Sequence, residues 1–445
     1  MDYQLTKDHQ KPAIETLKQW ISIPSVLDEN DSKTPFGQPI QEMLELALAT
    51  CRDMGMETYI DPEGYYGYAE MGQGEELFGV LCHLDVVPAL NPTEWTTPPF
   101  EMDIRDGALF GRGTQDDKGP SIAALYALKA LLDQGHQLNK RVRFIFGTDE
   151  ENLWRGLNRY NEKEEQVSMG IVPDSAFPLT YAEKGLLQLH ITGPGSDAFE
   201  MNNKGALNVV PDKAVYKGDK TEELSNILNE LAYKYEVNEE TLTVLGKSVH
   251  SKDSLKGDNA LAHLLEAMSE LYDHPILNFV KDNFAKDVNG QSIFGQVEDE
   301  ASGSLTCNIA NLEVDANHSK LGIDMRIPVT ADKDQLVETL TKAAKEYQLE
   351  YEEFDYLASL YVPVDSELVT TLLKVYRDLT GDMTEPISSG GATFARTMKN
   401  CVAFGALQEG VADTMHQVDE RMPLDNFYQT MEIYAHALKA LVIKA

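Results

Sequence analysis

The chain has 445 residues, 42% of them hydrophobic and 25% charged, which is ordinary globular composition and more chain than one hydrophobic core usually fills. Its formal net charge of −35 argues against a nucleic-acid partner, because phosphate binding needs clustered Lys and Arg. The same negative field would concentrate cations and repel an anionic substrate. We therefore expect a two-domain globular protein that does not bind nucleic acid.

The cysteines and the first residues of the chain favour a cytoplasmic protein. The cysteines lie far apart with no C-x-x-C pair, which predicts neither disulfides nor a thiolate zinc site: Cys51, Cys82, Cys307 and Cys401. Residues 1–7 lack the basic and apolar stretches of a signal peptide, and nowhere do about 18 apolar residues run together. We expect a reducing compartment and no membrane partner.

Strands and helices alternate in the first part of the chain. Residues 8–21 are predicted to be helical, and a second helix follows Gly119-Pro120, where apolar residues recur at helical spacing. Strands are predicted at Glu57–Ile60, Tyr65–Met71, 78–82, Arg141–Phe146 and Met169–Val172. This alternation predicts an α/β domain with a mostly parallel sheet and helices on both faces.

The pattern changes after residue 183. An alternating strand is predicted at Leu186–Thr192, and two similar amphipathic helices at Thr221–Tyr235 and Lys333–Tyr347. Further strands are predicted at Thr241–Leu245, Leu305–Val314 and Leu321–Ile327. Residues 184–360 are therefore predicted to be an inserted α+β lid domain, and the likeness of the two helices indicates a duplicated unit within it.

The last part of the chain returns to the first pattern. A helix is predicted at Ser366–Leu379, a buried strand at Cys401–Phe404 and a closing amphipathic helix at Leu424–Val442. We expect residues 1–183 and 361–445 to form one discontinuous catalytic domain.

Acidic and imidazole side chains stand where the predicted strands of that domain run into loops. They are His83 with Asp85, Asp116-Asp117, Glu150-Glu151, Asp174 and His416. In an open α/β sheet such loops present side chains to a common crevice. Each motif alone has an ordinary structural explanation, as a strand end, a helix cap or a turn. Their joint placement predicts a metal-dependent hydrolase.

The spacing suits a pair of divalent ions. Such a pair needs a bridging carboxylate and further ligands on each ion. Asp116 is predicted to bridge, with His83 and Asp174 completing one ion site and Glu151 and His416 the other. Mixed imidazole and carboxylate ligands favour zinc and also accept manganese or cobalt.

Two more acidic residues are assigned supporting roles. Glu150 is predicted to be the general base, provided that the backbone leaves the strand before it, because neighbouring strand residues point to opposite faces. Asp85 is predicted to accept the second N–H of the His83 imidazole and so to fix its tautomer.

These motifs resemble the signature of the metallopeptidase family that contains aminoacylase-1, carboxypeptidase G and carnosinase. The matching stretches are Cys82–Pro88, Gly111–Pro120, Gly147–Glu151, Pro173-Asp174, Gly390–Thr393 and His416–Glu420, so the resemblance spans nearly the whole chain. Phe177-Pro178, the segment Tyr181–Gly185 and the long middle domain resemble the carnosinase-like branch of bacterial dipeptidases of the PepV type.

The resemblance implies the metal roles given above and several more. It implies a cis Asp116–Asp117 peptide bond and Glu150 as the base that activates a metal-bridging water. From the lid, His250 would polarise the scissile carbonyl and Arg326 would take the C-terminal carboxylate of the substrate. Further substrate contacts are implied for Asn208, Gly390 and Gly391.

The implied activity is hydrolysis of the peptide bond of unmodified dipeptides. Two alternatives within the family are an N-acyl-amino-acid deacylase and a carboxypeptidase. A third is a non-catalytic metal-binding protein, against which the intact Glu150 weighs. A duplicated lid would support a functional monomer, with a dimer as the alternative.

Overall fold

The alternation of apolar strands and helices is present in the computed structural model, which describes residues 3–30, 33–238 and 241–444. The chain divides into two units. Unit 1 comprises Met1–Tyr181, Tyr361–Ile387 and Thr393–Ala445, and unit 2 comprises Ala182–Leu360 and Ser388–Ala392. The roles predicted for residues 1–183 with 361–445, as a catalytic domain, and for residues 184–360, as a lid, stay predictions.

The central sheet of unit 1 is parallel in the middle and antiparallel at its sides. In spatial order its strands are Glu57–Ile60, Gly67–Met71, Arg141–Gly147, Leu77–His83, Met169–Val172 and Cys401–Ala403. The last four run parallel to one another, while the first two pair antiparallel. Thr180, at the start of the strand Thr180–Glu183, pairs antiparallel with Ala403. The predicted α/β fold with a parallel sheet is confirmed.

Smaller strands of unit 1 lie outside this sheet. Asp103–Arg105, Ala108–Phe110 and Arg421–Pro423 form a three-stranded sheet, and Ser175–Ala176 pairs with Ala406–Leu407. By contrast, the short strands Leu360–Tyr361 and Ile387–Ser389, where the chain passes between the units, belong to the central sheet.

Helices of unit 1 pack on one another and on the sheet. They are Gln10–Ile21, Gln38–Asp53, Lys118–Asp133, Arg155–Lys163, Glu367–Thr380 and Leu424–Val442, with short 3-10 turns at Lys7–His9, Pro92–Glu94 and Phe394–Thr397. Lys118–Asp133 contacts both Gln10–Ile21 and Leu424–Val442 and is buried over nearly its whole length. The closing helix has the predicted bounds, whereas the sequence interpretation missed Gln38–Asp53 and Arg155–Lys163.

Unit 2 is an α+β structure, as predicted. Its main sheet is antiparallel, in the order Met201–Asn203, Thr306–Val314, His318–Ile327, Gly185–Pro194 and Glu350–Leu357. A second sheet has the order Lys213–Tyr216, Leu242–Leu245 and Tyr235–Val237, and Glu298–Asp299 pairs with Gly303–Ser304. Its helices are Thr221–Glu230, Ala260–Ser269, Pro275–Asn283, Gln291–Phe294 and Lys333–Glu346, with a 3-10 segment at Ser251–Lys256. One cluster of buried apolar side chains joins the sheets and helices.

One predicted helix of unit 2 is too long. The helix predicted over Thr221–Tyr235 ends at Glu230, because the backbone turns left-handed at Ala232, with φ of 61°. Tyr235 then begins a strand and pairs with Val244. An apolar stripe that ends in an aromatic residue fits a helix and a strand equally well over so few residues.

Within the described ranges, no helix has the length and apolar character needed to cross a bilayer.

The parallel strands of unit 1 determine where its loops meet. Leu77–His83 is buried along its whole length between two parallel neighbours, which is typical of a sheet covered on both faces. His83 pairs with Gly147, and Val172 pairs with Ala403. The strands therefore end at one edge, where side chains of the following loops can converge.

Candidate metal centre

Five side chains of unit 1 converge at this edge of the sheet as two groups that share one residue. One potential ligand atom from each of His83, Asp116 and Asp174 lies within 4.8 Å of the others, and the same holds for Asp116, Glu151 and His416. The two histidines come from parts of the chain more than three hundred residues apart in sequence. The structure thus brings together all five predicted metal ligands.

Asp116 lies between the two imidazoles. Its Oδ1 is 2.9 Å from Nε2 of His83, and its Oδ2 is 2.9 Å from Nε2 of His416. Burial alone would raise its pKa, but the hydrogen bonds from His416 and His83 hold the pKa of Asp116 well below its usual range. The Asp116–Asp117 peptide bond is cis, as the resemblance implies. A carboxylate with one oxygen toward each histidine has the geometry of a bridging ligand.

His83 is fixed by backbone at the end of its strand. Its ring is buried, and Nδ1 lies 2.9 Å from the backbone carbonyl of Asp85. A carbonyl can only accept, so Nδ1 carries a proton, and Nε2 is the atom that can bind a metal once it has lost the proton that it shares with Asp116. Nε2 lies 3.8 Å from Oδ2 of Asp174 as well as close to Asp116.

The Asp85 side chain lies farther from the His83 ring than a hydrogen bond requires, and its predicted role stays a prediction. Its carboxylate is 3.7 Å from Nδ1 of His83, and the backbone carbonyl orients the ring instead. The carboxylate oxygens each accept a backbone N–H at 3.0 Å, one from Glu150 and one from Glu151. Asp85 therefore holds the turn that carries both glutamates, because two converging N–H groups attract a carboxylate more strongly than a distant imidazole does.

Of the two adjacent glutamates, only Glu151 belongs to a ligand group. The strand before them ends at Gly147, so the backbone has left the sheet before Glu150, as their predicted division of roles requires. Glu151 lies 3.1 Å from Nε2 of His416, whereas the backbone carbonyl of Glu150 accepts a 2.6 Å hydrogen bond from Nε1 of Trp154. Burial raises the pKa of the Glu150 carboxyl well above its usual value.

The charges at the site fit divalent cations. Burial, followed by the charge of Asp116, raises the pKa of Asp174 well above its usual value and raises that of Glu151 as well. Hydrogen bonds to Asp116 and then to Glu151 raise the pKa of His416 to about 10. Carboxylates crowded in this way repel one another unless positive charge lies between them. Imidazole nitrogen and carboxylate oxygen are the donors that zinc takes in catalytic sites.

Two buried acids at the site were not assigned from the sequence. Glu420, fully buried, accepts backbone N–H groups from the segment 113–116 and a 2.6 Å hydrogen bond from Nη1 of Arg112. Asp117 accepts the backbone N–H of His83 at 3.2 Å and the hydroxyl of Ser121 at 2.9 Å. Both lie in the matching motifs, but nothing in the sequence shows that these carboxylates turn inward onto backbone.

The candidate substrate-binding residues form a second cluster, within unit 2. The backbone carbonyl of Asn208 accepts the N–H of Ser251 at 2.8 Å, and Asn208 is thus placed beside His250. Nδ1 of His250 accepts the N–H of Lys252 at 3.1 Å, which leaves Nε2–H as the donor of the neutral ring. Burial and then Arg326 lower the pKa of His250, which favours this neutral form.

Gly390 and Gly391 complete the cluster. The carbonyl of Gly390 accepts a 2.9 Å hydrogen bond from Nη1 of Arg326. A Cβ at Gly390 would lie 2.7 Å from Cβ of Lys252, so only glycine allows this approach. The N–H of Gly391 donates to the hydroxyl of Ser389 at 2.9 Å.

Arg326 is more heavily engaged than the sequence predicts. Its Nε and Nη2 bind the carboxylate of Asp324 at 2.7 and 3.1 Å, and Nη2 also donates to Oγ of Ser251 at 2.8 Å. With the bond to Gly390, these contacts use all but one of the five guanidinium N–H groups. For the predicted contact with the C-terminal carboxylate of a substrate, one Nη1 hydrogen of Arg326 remains.

Comparison with known proteins agrees with this geometry. Residues 79–440 match the model of peptidase family M20/M25/M40. The chain is 35% identical to "Putative dipeptidase YtjP" of Bacillus subtilis (strain 168) over 96% of both chains. It is 31% identical to "Putative dipeptidase SH1171" of Staphylococcus haemolyticus over 98% of both.

The fold is similar to that of solved structures at low sequence identity. Aminoacylhistidine dipeptidase from Vibrio alginolyticus aligns with a TM-score of 0.63 at 14% identity, over 98% of this chain and 97% of the other. Human carnosine dipeptidase 1 aligns with a TM-score of 0.60 at 15% identity and the same coverage. From the matched residues, the shared fold and the assembled ligand set, it follows that the chain belongs to peptidase family M20/M25/M40 and is a metal-dependent peptide hydrolase.

Proposed function

We propose that the protein is a dipeptidase that hydrolyses unmodified dipeptides with two divalent ions, zinc in the first instance. The observation that carries the proposal is the placement of Asp116 between two groups of potential ligands, with one carboxylate oxygen toward each histidine. The choice of dipeptides is supported by the names of the relatives at 35% and 31% identity.

The residues at the edge of the sheet divide the work between binding and proton transfer. His83 and Asp174 would hold one ion, and Glu151 and His416 would hold the other. Asp116 would be a ligand of both ions. When bound, the ions lower the pKa of water and polarise a carbonyl. Glu150, which is not part of either ligand group, would accept a proton from the attacking water and return it to the leaving amine.

The residues of unit 2 would bind the substrate. We propose that Nε2–H of His250 donates to the oxygen of the scissile carbonyl, where negative charge develops. Nη1 of Arg326 would donate to the C-terminal carboxylate, with Asn208, Gly390 and Gly391 beside it. A cation is needed there because the protein as a whole is strongly acidic.

The test is turnover of a substrate panel by protein that has been stripped with a chelator and refilled with zinc, manganese or cobalt, one at a time. The panel contains free dipeptides, tripeptides and N-acetylated amino acids. We expect free dipeptides to be cleaved fastest, and only by refilled protein. Preference for acetylated amino acids would replace the dipeptidase by a deacylase, and release of C-terminal residues from longer peptides at equal rates would indicate a carboxypeptidase.

A further inference from the structure

Two segments that carry metal ligands hold each other through buried side chains. Glu420, four residues after His416, has no exposed surface. Its carboxylate accepts the backbone N–H groups of Gly113 at 3.0 Å, Gln115 at 2.8 Å and Asp116 at 3.2 Å. The segment that includes the shared ligand is thereby tied to the segment that includes His416.

The same two segments are also tied in the opposite direction. Oε1 of Gln115 accepts the backbone N–H of Thr414 at 2.7 Å, and its Nε2 donates to the carbonyl of Ala412 at 3.1 Å. The hydroxyl of Thr414 in turn accepts the N–H of Arg421 at 3.0 Å, which closes the loop around His416. We call the side chains of Glu420 and Gln115, with these bonds, the clasp.

The two histidine ligands differ in how much support they have without the clasp. His83 is the last residue of a buried strand between two parallel neighbours. His416 lies in a loop outside regular structure, with 55% of its side chain exposed and with φ of 62°. A non-glycine residue in this conformation persists only where surrounding contacts impose it. The loop around His416 therefore depends on the bonds from Gln115 and Glu420.

From this asymmetry we propose that Glu420 and Gln115 are positioning residues for the ion held by Asp116, Glu151 and His416. The clasp keeps Asp116 and His416 close enough to share that ion. The ion held by His83, Asp116 and Asp174 depends on it less, because His83 is fixed by the sheet and by the carbonyl of Asp85. The inference rests on the proposed two-ion site. It adds that the clasp determines how tightly the second ion binds.

The experiment compares two clasp variants with a matched control. Glu420→Gln replaces one acceptor oxygen by an NH2 group that faces backbone donors, and Gln115→Ala removes the three side-chain bonds to the His416 loop, two with Thr414 and one with Ala412. The control is Glu432→Gln in the same unit. Glu432 is also fully buried, and its carboxylate accepts the N–H groups of Leu5 at 3.0 Å and Thr6 at 3.1 Å.

Metal-stripped full-length proteins are titrated with Co²⁺, and binding is followed by visible absorption and by metal analysis after dialysis. Loss of an outer contact to a ligand typically weakens metal binding roughly 10–100-fold. In both clasp variants we expect the first equivalent to bind as in the wild type and the second to bind at least about tenfold more weakly. Glu432→Gln should bind two equivalents like the wild type even where its melting temperature is lower.

The outcomes separate the inference from the proposed function. If both clasp variants bind two equivalents of Co²⁺ with wild-type affinity, the proposed role of the clasp is overturned. Equal loss of the second ion in Glu432→Gln would also overturn it, because general destabilisation would then explain the result. Wild-type protein that binds fewer than two equivalents would refute the two-ion site itself. If Glu420→Gln does not fold, Gln115→Ala decides the question alone.

Discussion

At the scale of single residues, the proposed mechanism gives two neighbouring glutamates different tasks. Glu151 lies against His416 and belongs to a ligand group, whereas Glu150 belongs to neither group. The division is possible because the strand ends at Gly147, so the two side chains are not forced to opposite faces of a sheet. A residue that serves as base and not as ligand can be removed without emptying the metal site.

Glu150→Gln is predicted to lower turnover of a dipeptide by about 10²–10⁴-fold, the usual contribution of a positioned general base. The amide is close in size to the carboxylate but accepts no proton from water, so two metal equivalents should still bind. Steady-state kinetics with metal analysis measure both. Glu162→Gln, at an exposed position on the helix Arg155–Lys163, is the control and should be unchanged. Undiminished turnover by Glu150→Gln would mean that Glu150 is not the base, and no turnover by either the wild type or the variant would favour the non-catalytic metal-binding alternative.

At the scale of elements, three candidate ligands, His83, Glu151 and Asp174, stand at or just after the ends of parallel strands, and buried carboxylates fix the turns nearby. Asp85 follows the strand Leu77–His83 and binds the turn that follows the neighbouring strand Arg141–Gly147. Asp117 and Glu420 bind backbone N–H groups of other ligand segments in the same way. The carboxylates of Asp85 and Glu420 accept donors on both oxygens, which offsets part of the free-energy cost of burying their charge.

Asp85→Asn is predicted to lower kcat roughly 10²-fold, because a shift of the turn by about 1 Å misplaces both glutamates. Asparagine has one acceptor oxygen for two N–H groups, and its NH2 faces one of them. The measurement is steady-state kinetics together with thermal unfolding.

The matched control for Asp85→Asn is Asp61→Asn. Asp61 is also buried, and its carboxylate accepts N–H groups of Glu63 at 3.1 Å and Tyr65 at 3.3 Å. We expect this control to lose stability and keep its kcat. A similar fall in kcat in both variants would mean that Asp85 contributes only to folding.

At the scale of the whole molecule, the sequence predicts helices and strands more reliably than it predicts which side chains contact one another. The apolar run 78–82 and the closing helix Leu424–Val442 are clear because burial leaves a periodic pattern. The convergence of His83 and His416 could be predicted because His83 ends one parallel strand and the loop that carries His416 leaves the same edge of the sheet after another, Cys401–Ala403.

The sequence did not predict the hydrogen-bond partners of several buried side chains, because those partners come from distant parts of the chain. The Asp85 carboxylate accepts backbone N–H groups and not the N–H of the His83 imidazole. The guanidinium of Arg326 is already hydrogen-bonded to Asp324 in the protein without substrate. The role of Glu420 depends on four donors that lie about three hundred residues earlier. No local pattern encodes such pairings, because side-chain hydrogen bonds follow from how distant segments approach each other.

Removal of metal is predicted to destabilise the protein. Ions that bind the folded chain and not the unfolded one stabilise it by about 2.7 kcal/mol at a free concentration one hundred times their Kd. Without them, Asp116, Glu151 and Asp174 repel one another in a buried site. Calorimetry should show a fall in Tm of several degrees on chelation, reversed by zinc. Asp116→Ala should show no chelator-dependent shift, and an unchanged Tm in the wild type would argue against bound ions.

The strand Cys401–Ala403 and the loop around His416 have a consequence for synthesis. The strand lies beside Met169–Val172, so the sheet that begins to form early must wait for more than two hundred further residues before this neighbour arrives. His416 emerges from the ribosome later still. A nascent chain therefore lacks a complete centre, and peptide cleavage cannot start, before His416 has been synthesised.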